Sequence, residues 1–516
     1  MPPMTGRTAF RGTLVTSLWT LLSRVLGFVR DCIMAVTVGV SPESGAFNYA
    51  WIVPNLFRDL LGEGAASAAI QPALARERLS RGPEAEARLF ARFHGFLAAC
   101  LVGVLVLSEA GMALALWRWG DDLSAAWRET LVLSLIILPY LVPICLTALY
   151  AAPQNLAGMY HLPALAPVLL NVVWIGVLAA LTLLPDHPSY RSMALLCLGL
   201  LAGGVVQWGL QLPGLRRLGM PLRPELRPGD GTVLRTFRDF LPALLGVAVF
   251  QINLAVDQIL VRTMVDPSAN TYAYHGNRLL QLPLAVLGIA AVTGTAPLFA
   301  RLSAEGRYGE LTQALRRTVE MTLLLTFLSA AGLYVLAVPV IRVLFEHGRF
   351  GAENTVILAA TVRAYLWGLP AATVAGLLTR VRQSRGDFRG PALAACVIVP
   401  LNLVLDVLLL PVLGVPGAAY ATSAALTVQA LLLAVGLRGL EIGAPLAWSR
   451  MPRLLAPAAL CGAAAYGASR GLGAAAATPW GLGACIAAGA AAGAVATAWL
   501  LPEDFRELVR ALRRRR

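Results

Sequence analysis

Apolar runs long enough to cross a bilayer recur along this chain from about residue 12 to 501, separated by short polar stretches rich in Arg, Pro and Gly. A helix crosses a bilayer in about 20 residues, so the pattern predicts about 14 spans. They lie near 12–39, 44–75, 88–117, 126–152, 158–184, 192–213, 238–265, 270–300, 309–345, 354–380, 391–411, 416–438, 452–470 and 480–501. The longest connection, about 214–236, is too small and too rich in Pro and Gly to fold alone. The predicted fold class is an all-α polytopic membrane protein with no soluble domain. The first span is too long for a secretory signal peptide and holds Arg24, Arg30 and Asp31 with no small-residue cleavage site after it, so it is expected to stay in the mature protein.

Composition agrees: 58% of residues are hydrophobic and 14% charged, with mean hydropathy +0.69. The formal net charge of +14 first reads as topology. Arginines outside the spans cluster on alternate segments, among them Arg76 to Arg81, Arg216 to Arg227, Arg382 to Arg389 and the tail Arg513 to Arg516. By the positive-inside rule both termini are expected in the cytoplasm, with attraction to anionic membrane lipids a secondary effect. No basic stripe interleaved with aromatics marks a nucleic-acid site. The seven cysteines are scattered singly and read as small buried hydrophobes, and the five histidines form no metal-ligand spacing.

An internal repeat is faintly visible. Val168-Leu-Leu-Asn171-Val-Val in the fifth span echoes Val399-Pro-Leu-Asn402-Leu-Val in the eleventh, and Pro72-Ala-Leu-Ala-Arg76 echoes Pro297-Leu-Phe-Ala-Arg301. Both pairs run in the same direction six spans apart, implying parallel repeats. The expected division is an N-lobe over 1–213, a linker over 214–237, a C-lobe over 238–440, a C-terminal helix pair over 441–501 and a basic tail over 502–516.

Candidate chemistry lies in the charges inside the spans. An arginine near the bilayer centre costs about 2.5–3.5 kcal/mol on insertion scales, so Arg24, Arg30, Arg58 and Arg278 are expected to face a wet cavity. Arg24 and Asp31, seven apart, share a helix face, and Arg30 points elsewhere unless the helix bends at Gly27. Arg58 follows Asn55 by three residues, and Arg278 sits near Asn277, Gln281 and a kink-prone Pro283. The alternative is that these arginines snorkel or pair with Asp31, Asp59 and Glu63. Four arginines against so few acids favour an anionic ligand, and the planar guanidinium fork suits phosphate. A second group offers oxygen ligands for a hard cation such as sodium: Asn402 and Asp406, four apart on one helix face, Asp257 in the seventh span and Thr422 in the twelfth. The alternative is that Asp257 or Asp406 is protonated or bonded to a neighbouring helix.

Four stretches carry a resemblance. SRVLGFVRD, AFNYAWIVPNLFRDLLGEG, YAYHGNRLLQLPLAVLG and VLFEHGRFGAEN are similar to the MurJ (MviN) lipid II flippases of the multidrug/oligosaccharidyl-lipid/polysaccharide exporter superfamily. The resemblance implies two six-helix lobes around a central cationic cavity, plus two C-terminal helices that form a groove for a polyprenyl tail. It implies a multi-pass protein of the bacterial cytoplasmic membrane that is no enzyme and moves lipid II, an undecaprenyl diphosphate-linked disaccharide-pentapeptide, between leaflets by alternating access. Arg24, Arg30, Arg58 and Arg278, with Asn55 and Glu63, would bind substrate. Asp257, Asn402, Asp406, Thr422 and the backbone carbonyl of Ala418 would form a sodium site, and wall-synthesis proteins would be partners. The chain departs from the family pattern at Gly45, where many relatives have Asp; Glu43 is close and expected in the loop. Readings that remain open are export of another lipid-linked oligosaccharide or a drug, and a noncatalytic wall-synthesis scaffold.

Overall fold

The computed structural model describes residues 6–58, 65–226, 231–284, 290–440, 442–446 and 448–506, and these hold helices and no strand. In chain order the helices are α1 (Gly6–Thr37), α2 (Pro42–Ala50), α3 (Ile52–Phe57), α4 (Ala65–Arg81), α5 (Pro83–Trp119), α6 (Ala125–Ile137), α7 (Leu141–Leu156), α8 (His161–Leu181) and α9 (Tyr190–Arg217). They continue with α10 (Thr232–Met264), α11 (Asn270–Pro283), α12 (Ala290–Ala304), α13 (Tyr308–Leu344), α14 (Ala352–Ser384), α15 (Arg389–Leu413), α16 (Val415–Val435), α17 (Met451–Leu472) and α18 (Pro479–Leu500). Among the described residues nine helical stretches are long and apolar enough to cross a membrane. The remaining expected spans correspond to α1, α2 to α4, α10, α11 with α12, and α17, which are charged, interrupted or rich in Ala and Gly. The protein is a multi-pass helical membrane protein with about 14 spans.

Local chemistry sets the helix ends. Ser41 caps α2 with a reciprocal box to Ser44 and Pro42 occupies the first turn, so the helix begins early. Glu43 therefore stands in the first turn of α2 and not in a loop, a correction to the expectation above. Pro139 breaks the fourth span into α6 and α7 through a single 3-10 turn, Leu138–Tyr140. α11 ends at Pro283, as the kink-prone proline suggested. α1 runs unbroken through Gly27.

Two compact units divide the chain, Met1–Ala255 and Val256–Arg516. In unit 1, α1 packs on α8, α8 and α7 on α9, and α4 on α5 and α7. Its centre is aromatic: the Trp174 indole meets Trp51 at 5.0 Å and Phe47 at 5.6 Å, both edge to face. Glycine lets α9 approach this core closely, since a Cβ at Gly204 would lie 2.5 Å from the fully buried Tyr140 ring.

In unit 2, α14 and α15 flank α16, and α17 and α18 pack on each other and on α13. A Cβ at Gly368 of α14 would lie 2.7 Å from the Ser423 Cα, and Ser423 Oγ donates to the Ala364 carbonyl at 2.8 Å. This close contact fixes the rotation of α16. The C-terminal pair is tied to α13 by buried acids: Glu320 accepts from Arg450 ahead of α17, and Asp504 beyond α18 accepts from Arg317. Of the cysteines, Cys145, Cys197, Cys461 and Cys485 are buried as expected, whereas Cys100 and Cys396 are exposed on the outer faces of α5 and α15.

Candidate functional site

Unit 1 carries its intramembrane cations on α1 and α3, and they differ in surroundings. Arg30 is 3% exposed. Its Nε and Nη2 donate to Asp31 Oδ1 at 2.9 and 2.6 Å, and Nη1 donates to Asn171 Oδ1 at 3.0 Å. The guanidinium lies 4.0 Å from the centroid of Trp174, so it has an ion pair, an amide oxygen and an aromatic face at once. Asn171 in turn donates through Nδ2 to the Ser23 carbonyl at 2.9 Å, and Gly27 leaves that amide room at the α1–α8 crossing. Buried pairs of this kind cost desolvation to form, and breaking one by removing a single partner typically costs about 3–5 kcal/mol.

Arg24 is a different case. It lies six residues earlier on α1, about 9 Å along the axis, and is exposed. Among the described residues it has no ion pair or hydrogen bond. Arg58 ends α3 half-buried, and Asn55 sits half-buried one turn before it. Glu63 lies outside the described residues. In unit 2, Arg278 is half-buried on α11, 5.4 Å from the Tyr274 ring centroid, and its Nη1 donates to Gln281 Oε1 at 3.3 Å.

The acidic group gathers within unit 2. Asn402 Nδ2 donates to Asp257 Oδ1 at 2.6 Å and to Asp406 Oδ2 at 2.9 Å, so one amide from α15 bridges carboxylates on α10 and α15. Thr422 Oγ1 on α16 lies 3.0 Å from Asp257 Oδ2 and 3.0 Å from the Ala418 carbonyl. Asp257, Asn402 and Asp406 are 2%, 1% and 0% exposed. Asn402 Oδ1 and Asp406 Oδ1 are buried without a hydrogen-bond donor. Asn402 bridges the two carboxylates, no cationic side chain is bonded to either among the described residues, and with the two orphan oxygens they form an oxygen cage. A small hard cation fits that donor set: two carboxylates, an amide oxygen, a hydroxyl and a carbonyl.

Arg30 does not face a wet cavity as expected but takes the alternative, a buried pair with Asp31; its other two partners, Asn171 and Trp174, were not anticipated. Asn171 was visible only as a repeat position, and Trp174 gave no signal of its own. The i, i+3 spacing of Asn171 and Trp174 on one face of α8 was the clue available.

Residues 34–485 match the family model described as "Lipid II flippase MurJ". A "Probable lipid II flippase MurJ" of Rhizobium meliloti is 34% identical over 463 residues, 87% of this chain and 84% of the relative. A "Lipid II flippase MurJ" of Burkholderia cenocepacia is 30% identical, covering 83% and 84%. Among solved structures, a lipid II flippase MurJ in an inward closed conformation matches with TM-score 0.79 at 22% identity, over 96% of this chain and all of that one. An inward-facing multidrug resistance transporter of the MATE family matches with TM-score 0.64 at 15% identity, covering 81% and 94%, which extends the likeness of fold to that superfamily. The chain belongs to the MurJ family.

Proposed function

We propose that this protein moves lipid II from the inner to the outer leaflet of the bacterial cytoplasmic membrane by alternating access, with both termini in the cytoplasm. No bond is made or broken in this reading, so the protein is a transporter and not an enzyme. The exposed Arg24 supports it most directly, because a guanidinium on a membrane helix with no ion pair among the described residues has a reason to exist when an anionic group arrives to meet it. Arg58 and Arg278, half-buried on other helices, are assigned to the same diphosphate, with Asn55 and Glu63 as its polar neighbours. Arg30 is assigned to hold α1 in register beneath Arg24, since its own fork is occupied by Asp31.

Sodium at Asp257, Asn402, Asp406, Thr422 and the Ala418 carbonyl is the proposed coupling cation. When bound it supplies the positive charge that lets both carboxylates stay ionised in a buried cage. Wall-synthesis proteins are the proposed partners. The test is complementation: a bacterium depleted of its own flippase receives this chain or its Arg24→Ala or Arg58→Ala variant, and lipid II reachable at the outer face is measured. The parent restores exposure, and equally expressed variants restore at most a tenth of it. Full restoration by both variants, or none by the parent, contradicts the reading.

A further inference from the structure

Unit 1 holds a cavity of about 210 Å³ beside the turn that joins α4 to α5. Three helices wall it. Glu77 and Arg81 are four apart on one face of α4, Arg88, Leu89 and Arg92 share a face of α5, and Thr232 opens α10. Three guanidinium groups thus border the cavity with one carboxylate, over the buried Leu89. Two of the three are held loosely. Arg88 Nη1 lies 3.5 Å from Oε2 of the exposed Glu84, and Arg92 Nε lies 3.4 Å from Glu225 Oε1, each a single long contact that contributes little at a solvated surface. Glu225 is itself set by its backbone. Its N–H donates to the Ala91 carbonyl at 3.0 Å, and a Cβ at Gly95 would lie 2.2 Å from its carbonyl oxygen, so glycine admits the segment that leads towards α10 against α5.

We propose that this cavity is a phosphomonoester site, in which Arg88 and Arg92 hold the phosphate and Glu225 is the internal acid that the phosphate displaces. A planar guanidinium fork takes two phosphate oxygens at once, which neither long contact now does. Once Glu225 has left, the three lining arginines against Glu77 carry two positive charges in excess. A monoester brings about −1.5 to −2 at neutral pH, a charge that a diester does not reach. Size narrows the class further. Drug-sized ligands take sites of about 300–1,000 Å³, so this cavity admits a phosphate with a small substituent and excludes a disaccharide-pentapeptide headgroup. The monoester comes either from a soluble metabolite or from a lipid headgroup at the membrane surface. Occupancy ties α4, α5 and the first turn of α10 to one ligand and releases Glu225 from Arg92. With the termini in the cytoplasm, as proposed, the cavity lies at the cytoplasmic face, and binding itself is independent of that topology.

Equilibrium dialysis of radiolabelled glycerol 3-phosphate against the full chain in phosphatidylcholine nanodiscs tests this, with thermal melting to show that each variant is folded. The parent is expected to bind one molecule per chain. Combining Arg88→Gln with Arg92→Gln weakens binding about tenfold or more, because charge-assisted hydrogen bonds are lost, whereas Glu225→Gln strengthens it. Arg216→Gln, at an exposed arginine outside the cavity, leaves it unchanged. A second arm measures how much radiolabelled phosphatidate or phosphatidylglycerol the chain in detergent retains. Phosphatidate displaced by glycerol 3-phosphate supports the lipid source, and glycerol 3-phosphate bound with no phosphatidate retained supports the soluble one. Binding of neither monoester, undiminished binding in the double variant, or an equal loss in Arg216→Gln overturns the site. Phosphatidylglycerol retained and displaced as well as phosphatidate overturns the monoester class, and weaker binding in Glu225→Gln overturns the displacement.

Discussion

At the α1–α8 crossing of unit 1, an asparagine holds an arginine that is already paired with its neighbouring aspartate. In unit 2, Asn402 in the matching stretch of α15 bridges Asp257 and Asp406, with no cationic side chain bonded to either among the described residues. The scaffold is alike, a polar amide at a crossing of two membrane helices, and the charge is reversed. The difference teaches that one joint carries its counter-charge on the chain and the other does not. A guanidinium on the chain holds its crossing without help from solution, whereas a cage filled by sodium, as proposed, would respond to the concentration of that ion.

The largest effect expected from breaking this comparison is at Arg30. Arg30→Ala removes the guanidinium bonded to the buried Asp31 carboxylate and is expected to cost about 3–5 kcal/mol. Thermal melting in detergent would show that loss, and it should be the same in sodium and in choline. Asp257→Asn acts in the opposite manner. At sodium concentrations near a hundred times the dissociation constant, the bound ion adds about 2.7 kcal/mol of stability. The variant is expected to lose the sodium-dependent shift in melting temperature and to keep the sodium-free value within a few degrees.

The asparagines sharpen the contrast. Asn171→Ala removes the acceptor for Arg30 Nη1 and the donor to the Ser23 carbonyl, with an expected loss of about 1–3 kcal/mol that does not depend on sodium. Asn402→Ala removes the bridge between Asp257 and Asp406, and its cost should shrink or grow with sodium concentration. Equal salt dependence in the two variants would break the comparison.

The smallest effect belongs to an ion pair outside both crossings and outside the spans. Asp387, in the turn between α14 and α15, is pushed up by burial, but the Gly390 N–H and the Arg382 guanidinium outweigh that and hold its carboxyl below the usual range. A depressed carboxyl contributes stability above its unfolded value and loses it as pH falls through the folded one. Asp387→Asn should therefore lower the melting temperature modestly at neutral pH and leave it unchanged in strong acid, with no sodium dependence at either.

The expectations drawn from sequence succeeded where periodicity carries the information. The span pattern follows hydrophobicity directly, and Asn402 with Asp406 share a face because four residues nearly complete a helical turn. Asp257 and Thr422 joined them because lone polar residues in apolar spans must find one another. The Arg30 site was only partly legible, Asp31 having been named as an alternative partner, for a complementary reason. Arg30 and Asp31 are adjacent, so their Cβ atoms point about 100° apart on the helix, and periodicity assigns them to different faces. The long guanidinium arm defeats that assignment by curling back onto its neighbour. Trp174, more than a hundred positions away on α8, is fixed beneath it by packing against Trp51 and Phe47, a tertiary fact with no local sequence signal. Glu43 was misplaced because the Ser41 cap and Pro42 start α2 earlier than the apolar run does.

A structure of the full chain prepared in thallium in place of sodium tests the asymmetry of the two crossings most directly, through anomalous scattering. The account predicts one peak per chain, between Asp257, Asn402 and Asp406 in unit 2, and none beside Asp31. A peak between Asp31 and Asn171, or an empty cage at saturating thallium, would contradict it.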